Sequence, residues 1–176
     1  MIEVIKNLYI GGDKDYERIK NNKGWSIVRC CKEGPGGHRD TLGYTTLGAP
    51  KDKNYLWVLK GNRLVLNMLD LDKEYSISDT DPKIRTSLDF IDKMVSIALD
   101  FIDKKLQSGD KVLVSCNKGI SRSPTTAFLY MKKAGEFPTY KFSQARRVFK
   151  ALYPPYDPNL VMNKYVKEKY VQLERS

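Results

Sequence analysis

The stretch Lys111-Val-Leu-Val-Ser115-Cys116-Asn117-Lys118-Gly119-Ile120-Ser121-Arg122-Ser123-Pro124 decides how this chain is read. Its first five residues have a wholly apolar centre, as in a strand covered on both faces. Pro124 to Ala134 reads as a helix ended by Gly135. A cysteine therefore follows a buried strand, a glycine sits mid-connection, and an arginine lies where the next helix begins. A tight turn of this kind directs successive backbone N–H groups into one concavity, with the positive end of the helix dipole behind it. Such a nest holds a phosphate-sized dianion. Gly119 permits backbone geometry that a Cβ obstructs. The same field, with Arg122, favours the thiolate of Cys116 over the thiol. Arg122 has a planar fork that grips two non-bridging phosphate oxygens.

Outward from this loop, Asp81-Pro82 predicts an N-cap followed by proline at the first helical position. Ile84, Leu88, Ile91, Val95, Ala98 or Leu99, Ile102 and Leu106 then repeat at helical spacing to about Gln107, where Gly109 stops the helix. Toward the N-terminus, Val4 to Ile10 reads as one strand, Asp13 to Lys23 as a short helix, and Trp25 to Cys31 as a strand. Lys32 to Pro50 is rich in glycine, holds the single histidine, His38, and reads as a long loop. Tyr55–Leu59 and Leu64–Leu69 are strands around a Lys60-Gly61-Asn62 turn, followed by an acidic loop with Asp70, Asp72, Asp79 and Asp81. Beyond Gly135, Thr139 is expected to cap a helix over Tyr140–Leu152, and Asp157-Pro158 to open a last one to about Tyr170. The expected fold is α/β, a central, mostly parallel sheet of four to five strands flanked by helices. Residues 1–176 are read as one domain with a Gly-rich loop or insertion at about 32–62.

The chain has 176 residues, of which 41% are hydrophobic and 11% aromatic, enough for a real core and against disorder. No apolar run approaches the roughly 18 residues a membrane span needs, and the first residues lack a secretory signal. A net charge of +10 attracts acidic partners, whether phosphorylated protein, nucleic acid or anionic lipid, and chooses none of them. Three cysteines, two of them adjacent (Cys30 and Cys31), suit reduced thiols in a cytoplasmic setting, or a host cytosol if the protein is viral. Burial is the default for Cys30 and Cys31; the alternative is a redox partner for Cys116. Structural hydrogen bonding or exposure is favoured for His38 over substrate contact. No metal site has convincing ligand spacing, and no cofactor is expected. Lys118, Arg146 and Arg147 add positive potential, although a solvated helix face explains the last two equally well.

The run Val114-Ser-Cys-Asn-Lys-Gly-Ile-Ser-Arg-Ser-Pro124 resembles the signature loop of cysteine-based protein phosphatases, specifically the small dual-specificity class. Asn7-Leu-Tyr-Ile-Gly-Gly12 is similar to the amino-terminal strand of that class, and the long helix and strand before Cys116 are similar too. Gly43-Tyr44, Ala49-Pro-Lys-Asp52 and Gly61-Asn-Arg63 resemble a branch found in bacteria and phages. The resemblance implies hydrolysis of phosphomonoesters on protein tyrosine, serine and threonine by a monomeric enzyme. Cys116 would attack phosphorus, while Arg122 and the amides of residues 117–121 bind the transferring group. Ser123 would ease departure of Cys116, and a loop carboxylate would protonate the leaving oxygen. Family placement behind the preceding strand favours Asp70 over Asp72, Asp79 or Asp81. An RNA 5′-phosphate or phosphoinositide substrate, or a non-catalytic phosphate-binding module, are the rival readings.

The chain departs from the family pattern at Ser115, where the family carries histidine. A serine hydroxyl donates a hydrogen bond but brings no positive charge. Inactivation by iodoacetate is therefore expected to rise at higher pH than in histidine-bearing relatives. Half-maximal inactivation below about pH 5 would overturn that expectation.

Overall fold

A computed structural model describes residues 1–46, 48–69 and 82–173, with only the backbone of 82–87. In chain order the elements are β1 (Ile2–Ile5), β2 (Leu8–Gly11), α1 (Asp13–Ile19), β3 (Trp25–Arg29), α2 (His38–Leu42), β4 (Trp57–Lys60) and β5 (Arg63–Leu66). They continue with α3 (Pro82–Gln107), β6 (Lys111–Ser115), α4 (Arg122–Lys133), α5 (Phe142–Leu152) and α6 (Leu160–Leu173). The sheet runs β1-β2-β6-β3-β5-β4. β2, β6, β3 and β5 are mutually parallel, and each edge is completed by an antiparallel partner. The α/β fold with a mostly parallel, helix-flanked sheet is thus present, but with six strands in place of four to five.

The extra strand comes from Val4–Ile10, which is not one strand. Asn7 adopts φ 65°, and the chain doubles back so that Ile5 pairs with Leu8. Asparagine is among the few non-glycine residues that occupy this left-handed region readily. Its N–H donates to Glu3 Oε1 at 2.8 Å, which fixes the turn. At the other edge Gly61, at φ 60°, closes the β4–β5 hairpin where the sequence placed a turn.

Strand side chains alternate between the two faces, so each inner strand feeds two layers. Val112 and Val114 of β6, Leu8 and Ile10 of β2, and Val28 of β3 face the large core built with α3, α4, α5 and α6. Leu113 and Ile27 face the other way, against Tyr16 and Ile19 of α1. That double burial is why Lys111–Ser115 reads as a continuous apolar run. Arg29 follows Ile27 by two residues and so falls on the α1 side. α4 begins at Arg122, two residues before the expected start, and is buried from there to Met131. Phe128 anchors it among Phe137, Phe142, Phe149, Tyr156 and Tyr170, with ring centroids 4.9–6.2 Å away.

Two helix starts move. Gln144 Oε1 accepts from Lys141 N–H at 3.0 Å, so α5 is closed at Lys141 and not at Thr139. Asn159 Oδ1 accepts from Met162 N–H at 2.9 Å, which makes Asn159 the cap of α6 in place of Asp157. α1 is also shorter than expected, ending at Ile19. Among the described residues, no helix is long and apolar enough to cross a membrane.

The Gly-rich segment is not a plain loop. Gly37-His38 turns into α2, which ends at Gly43 with φ 70°. His38 is buried. Its Nε2 lies 2.6 Å from the Asn54 carbonyl, which only accepts, so Nε2 carries the proton. Nδ1 then accepts from the Tyr44 hydroxyl at 3.2 Å. Both ring nitrogens are satisfied in the neutral form, and burial, opposed by the Asn54 contact, pushes the imidazole below its ordinary value of 6.5. The unfolded chain then binds the proton more readily. Stability contributed by His38 is complete above its unfolded value and is lost as pH falls toward the lower folded value. The urea midpoint is expected to drop from about pH 7 to about pH 5, and His38→Gln to flatten that slope; equal slopes would contradict this origin.

Candidate active site

Cys116 follows β6 directly, and its backbone is gripped before the loop begins: Cys30 N–H donates to Ser115 O at 2.6 Å. Cys116 is buried, yet its Sγ is turned into the loop. Gly119 N–H donates to Sγ at 3.3 Å, and Ser123 Oγ donates to it at 3.2 Å. Gly119 has φ +73°, and a Cβ there would lie 2.9 Å from the backbone of Gly11 and 3.0 Å from Tyr153 Oη. The glycine is required twice over, by its dihedral and by the close approach of β2.

The carbonyls of the loop are held from outside it. Cys116 O accepts from Arg29 Nη1 at 3.0 Å, and Asn117 O from Asp13 N–H at 3.0 Å. Gly119 O accepts from Tyr153 Oη at 2.7 Å, and Ile120 O from Asp157 N–H at 2.9 Å. There are no cis peptides among the described residues. In a trans peptide the C=O and the following N–H point in opposite directions. Turning four carbonyls outward therefore turns the N–H groups of Asn117, Lys118, Ile120 and Ser121 toward the inside of the loop. The result is a concave set of donors beside Sγ, at the N-terminus of the buried helix α4, with the chemistry of an oxyanion cradle.

Arg122 is buried at the start of α4. Nη1 donates to Met68 O at 2.9 Å and Nη2 to Asn117 Oδ1 at 2.8 Å, so the guanidinium spans from the end of β5 to the loop itself. Asn117 is tied down further, its Nδ2 donating to Glu33 O at 2.9 Å and Asp13 Oδ2 at 3.4 Å. Ser121 Oγ accepts from Asn159 N–H at 3.3 Å, joining the loop to the start of α6. Lys118 and Ile120 are exposed at the rim. Of the sequence candidates, Cys116 to Ser123 thus come together in one cradle. Asp70, Asp72, Asp79 and Asp81 lie outside the described residues.

Four residues in this arrangement escaped the sequence reading: Arg29, Asp13, Tyr153 and Met68. A lone arginine in the apolar strand Trp25-Ser-Ile-Val-Arg-Cys-Cys31 was the available signal, because a buried cation demands partners. Tyr153 was hidden at a helix end before Pro154-Pro155, and Met68 acts only through its backbone. Burial, aided by the Cys116 charge, pushes the Tyr153 phenol up to about 12, so it stays a donor at neutral pH. Burial also raises the Cys30 and Cys31 thiols, the latter to about 11, and all three cysteines are free. Arg29 brings a cation to the position the sequence left uncharged at Ser115, although Asp13 neutralises it. Among the described residues no three His, Cys, Asp or Glu side chains converge as metal ligands.

The α/β fold, a mostly parallel central sheet flanked by helices, is that of solved tyrosine- and dual-specificity-phosphatase structures. No protein-family model and no curated protein matches the sequence, but solved structures do. The human tyrosine phosphatase-like serine/threonine/tyrosine-interacting protein is 21% identical, with a TM-score of 0.58 over 99% of this chain and 97% of that one. A mouse putative dual specificity phosphatase complexed with zinc tungstate is 16% identical, with a TM-score of 0.59 over 98% and 87%. Cydia pomonella PTP-2 phosphatase is 14% identical, with a TM-score of 0.58 over 95% and 88%. These likenesses establish the fold; the chemistry rests on the loop.

Gly135 also has a positive φ, +84°, but open space around its missing Cβ. Gly119→Ala is expected to weaken tungstate binding at least about tenfold, through loss of charge-assisted amide contacts. Gly135→Ala is expected to leave binding unchanged and cost only about 1 kcal/mol of stability. Calorimetric titration of both variants checks this, and equal affinities would show that Gly119 has no special place.

Proposed function

We propose that this chain is a cysteine-dependent phosphomonoesterase of the small dual-specificity class. Its substrates are phosphotyrosine and phosphoserine or phosphothreonine in proteins. The observation that carries the reading is Cys116 Sγ, held by Gly119 N–H and Ser123 Oγ inside a loop whose carbonyls face away. Sulfur at the base of an anion cradle is the arrangement that nucleophilic attack on a bound phosphoryl group requires. The likeness of Gly43-Tyr44, Ala49-Pro-Lys-Asp52 and Gly61-Asn-Arg63 to a bacterial and phage branch supports membership of that branch within the class.

In the first step the Cys116 thiolate forms a bond to phosphorus while the ester P–O bond breaks. The leaving oxygen takes a proton from the carboxylic acid of Asp70. Amides of Asn117, Lys118, Ile120 and Ser121 and the Arg122 guanidinium hold the equatorial oxygens as their charge redistributes. In the second step the Asp70 carboxylate accepts a proton from water as its oxygen bonds to phosphorus. The P–S bond breaks, and Ser123 Oγ–H stabilises the departing thiolate. Asp70 stands two residues along the chain from Met68, whose carbonyl holds Arg122. That neighbourhood supports Asp70 as the acid.

Hydrolysis of p-nitrophenyl phosphate and of phosphotyrosine and phosphoserine peptides tests the proposal. Cys116→Ser is expected to abolish activity on all three. Asp70→Asn is expected to cost about 10²–10⁴-fold on phosphoserine peptide, whose alkoxide needs a proton, and far less on the aryl ester. A wild-type protein that binds tungstate without hydrolysing any of them is a binding module. Hydrolysis confined to RNA 5′-phosphates or inositol phospholipids would assign a different substrate.

A further inference from the structure

Arg29 is wholly buried, and its guanidinium is committed on every side. Nε donates to Pro35 O at 3.0 Å, Nη1 to Cys116 O at 3.0 Å and Ser115 Oγ at 3.3 Å, and Nη2 to Asp13 Oδ1. The Tyr16 ring covers one face, 4.6 Å from the guanidinium carbon. A guanidinium needed only to balance Asp13 would sit near water, because that carboxylate is one-third exposed. Instead it lies behind the nucleophile, on the strand that pairs Arg29 with Ser115.

We infer that Arg29, held by Asp13, is the positioning residue of the catalytic loop: it fixes the Cys116 carbonyl and so aims the Asn117 amide into the cradle. The reasoning follows the peptide unit. Cys116 O and Asn117 N–H belong to one rigid plane and point in opposite directions. A buried fork on the carbonyl sets that plane, and a donor on Ser115 Oγ sets the residue before it. Asp13 acts three times, as the acceptor that orients Arg29, as an acceptor of the Asn117 side-chain amide and as the backbone donor to Asn117 O. The two residues of this ion pair thereby fix the first two peptide units of the loop from the α1 side of the sheet, Arg29 by its side chain and Asp13 by its backbone N–H. No other described element supplies a side-chain donor to the Cys116 carbonyl.

The inference rests on the phosphatase reading for the reaction it serves, and the test separates the two. Arg29→Met and Arg29→Lys are compared with wild type and Cys116→Ser by p-nitrophenyl phosphate kinetics, tungstate titration and circular dichroism, well below each melting temperature. Arg29→Met is expected to fold, to lose about 10²-fold in kcat through misplaced amides, and to bind tungstate about tenfold more weakly. Arg29→Lys keeps the charge and one donor but not the fork, so it is expected to recover part of both losses. A purely structural role would lower the melting temperature and leave kcat and tungstate affinity of the folded variant intact. That result, in either variant, overturns the inference; if Arg29→Met fails to fold, Arg29→Lys alone decides it by the same criterion. Wild-type protein without hydrolytic activity would instead overturn the phosphatase reading, and the tungstate affinities would still judge Arg29.

Discussion

Everything in the site depends on the rigidity of the peptide plane. A loop cannot aim its amides at an anion unless something else takes its carbonyls, since buried carbonyls also require partners. Here the partners come from four separate places: β3 through Arg29, the start of α1 through Asp13, the end of α5 through Tyr153, and Asp157 before α6. The cradle is therefore a property of the tertiary fold, although its sequence is local. The energy of closing it is distributed over contacts that bind no ligand.

This dependence explains which parts were legible in the sequence. β6 and α3 declare themselves, because an apolar run between turn residues and a long 3.6-residue period leave few alternatives. The Cys116–Ser123 loop is readable for the same reason: its residues are contiguous, and their chemistry is unusual. Arg29 is separated from Ser115 by 86 residues and meets it only through parallel pairing, so no local pattern announces the contact. The turn at Asn7 was hidden because Lys6-Asn7 lacks the Asn-Gly or Asp-Gly signal of a tight hairpin. The two misplaced caps share one cause. Thr139 and Asp157 are good cap residues by type, but the structure uses a glutamine reaching back to Lys141 and the nearer Asn159.

The glycine-rich segment shows how a functional prior and a structural outcome differ. Its glycines suggested an irregular loop, yet Gly37 opens and Gly43 closes a helical turn that buries His38 against Tyr44 and Asn54. The start of the same segment then reaches the site, where Glu33 O receives the Asn117 amide and Pro35 O receives Arg29. This stretch contributes backbone acceptors to the architecture behind Cys116.

α4 carries Arg122 and Ser123 in its first turn and Phe128 at its aromatic centre, and it is buried over nearly its whole length. Such a helix has no local route of opening, since exposing its amides to solvent means dismantling the rings that surround it. On the helix side the Cys116–Ser123 loop is therefore tied to the packing of the core. Its geometry is coupled to that of the core, so any ligand seated there would raise the resistance of the whole molecule to melting.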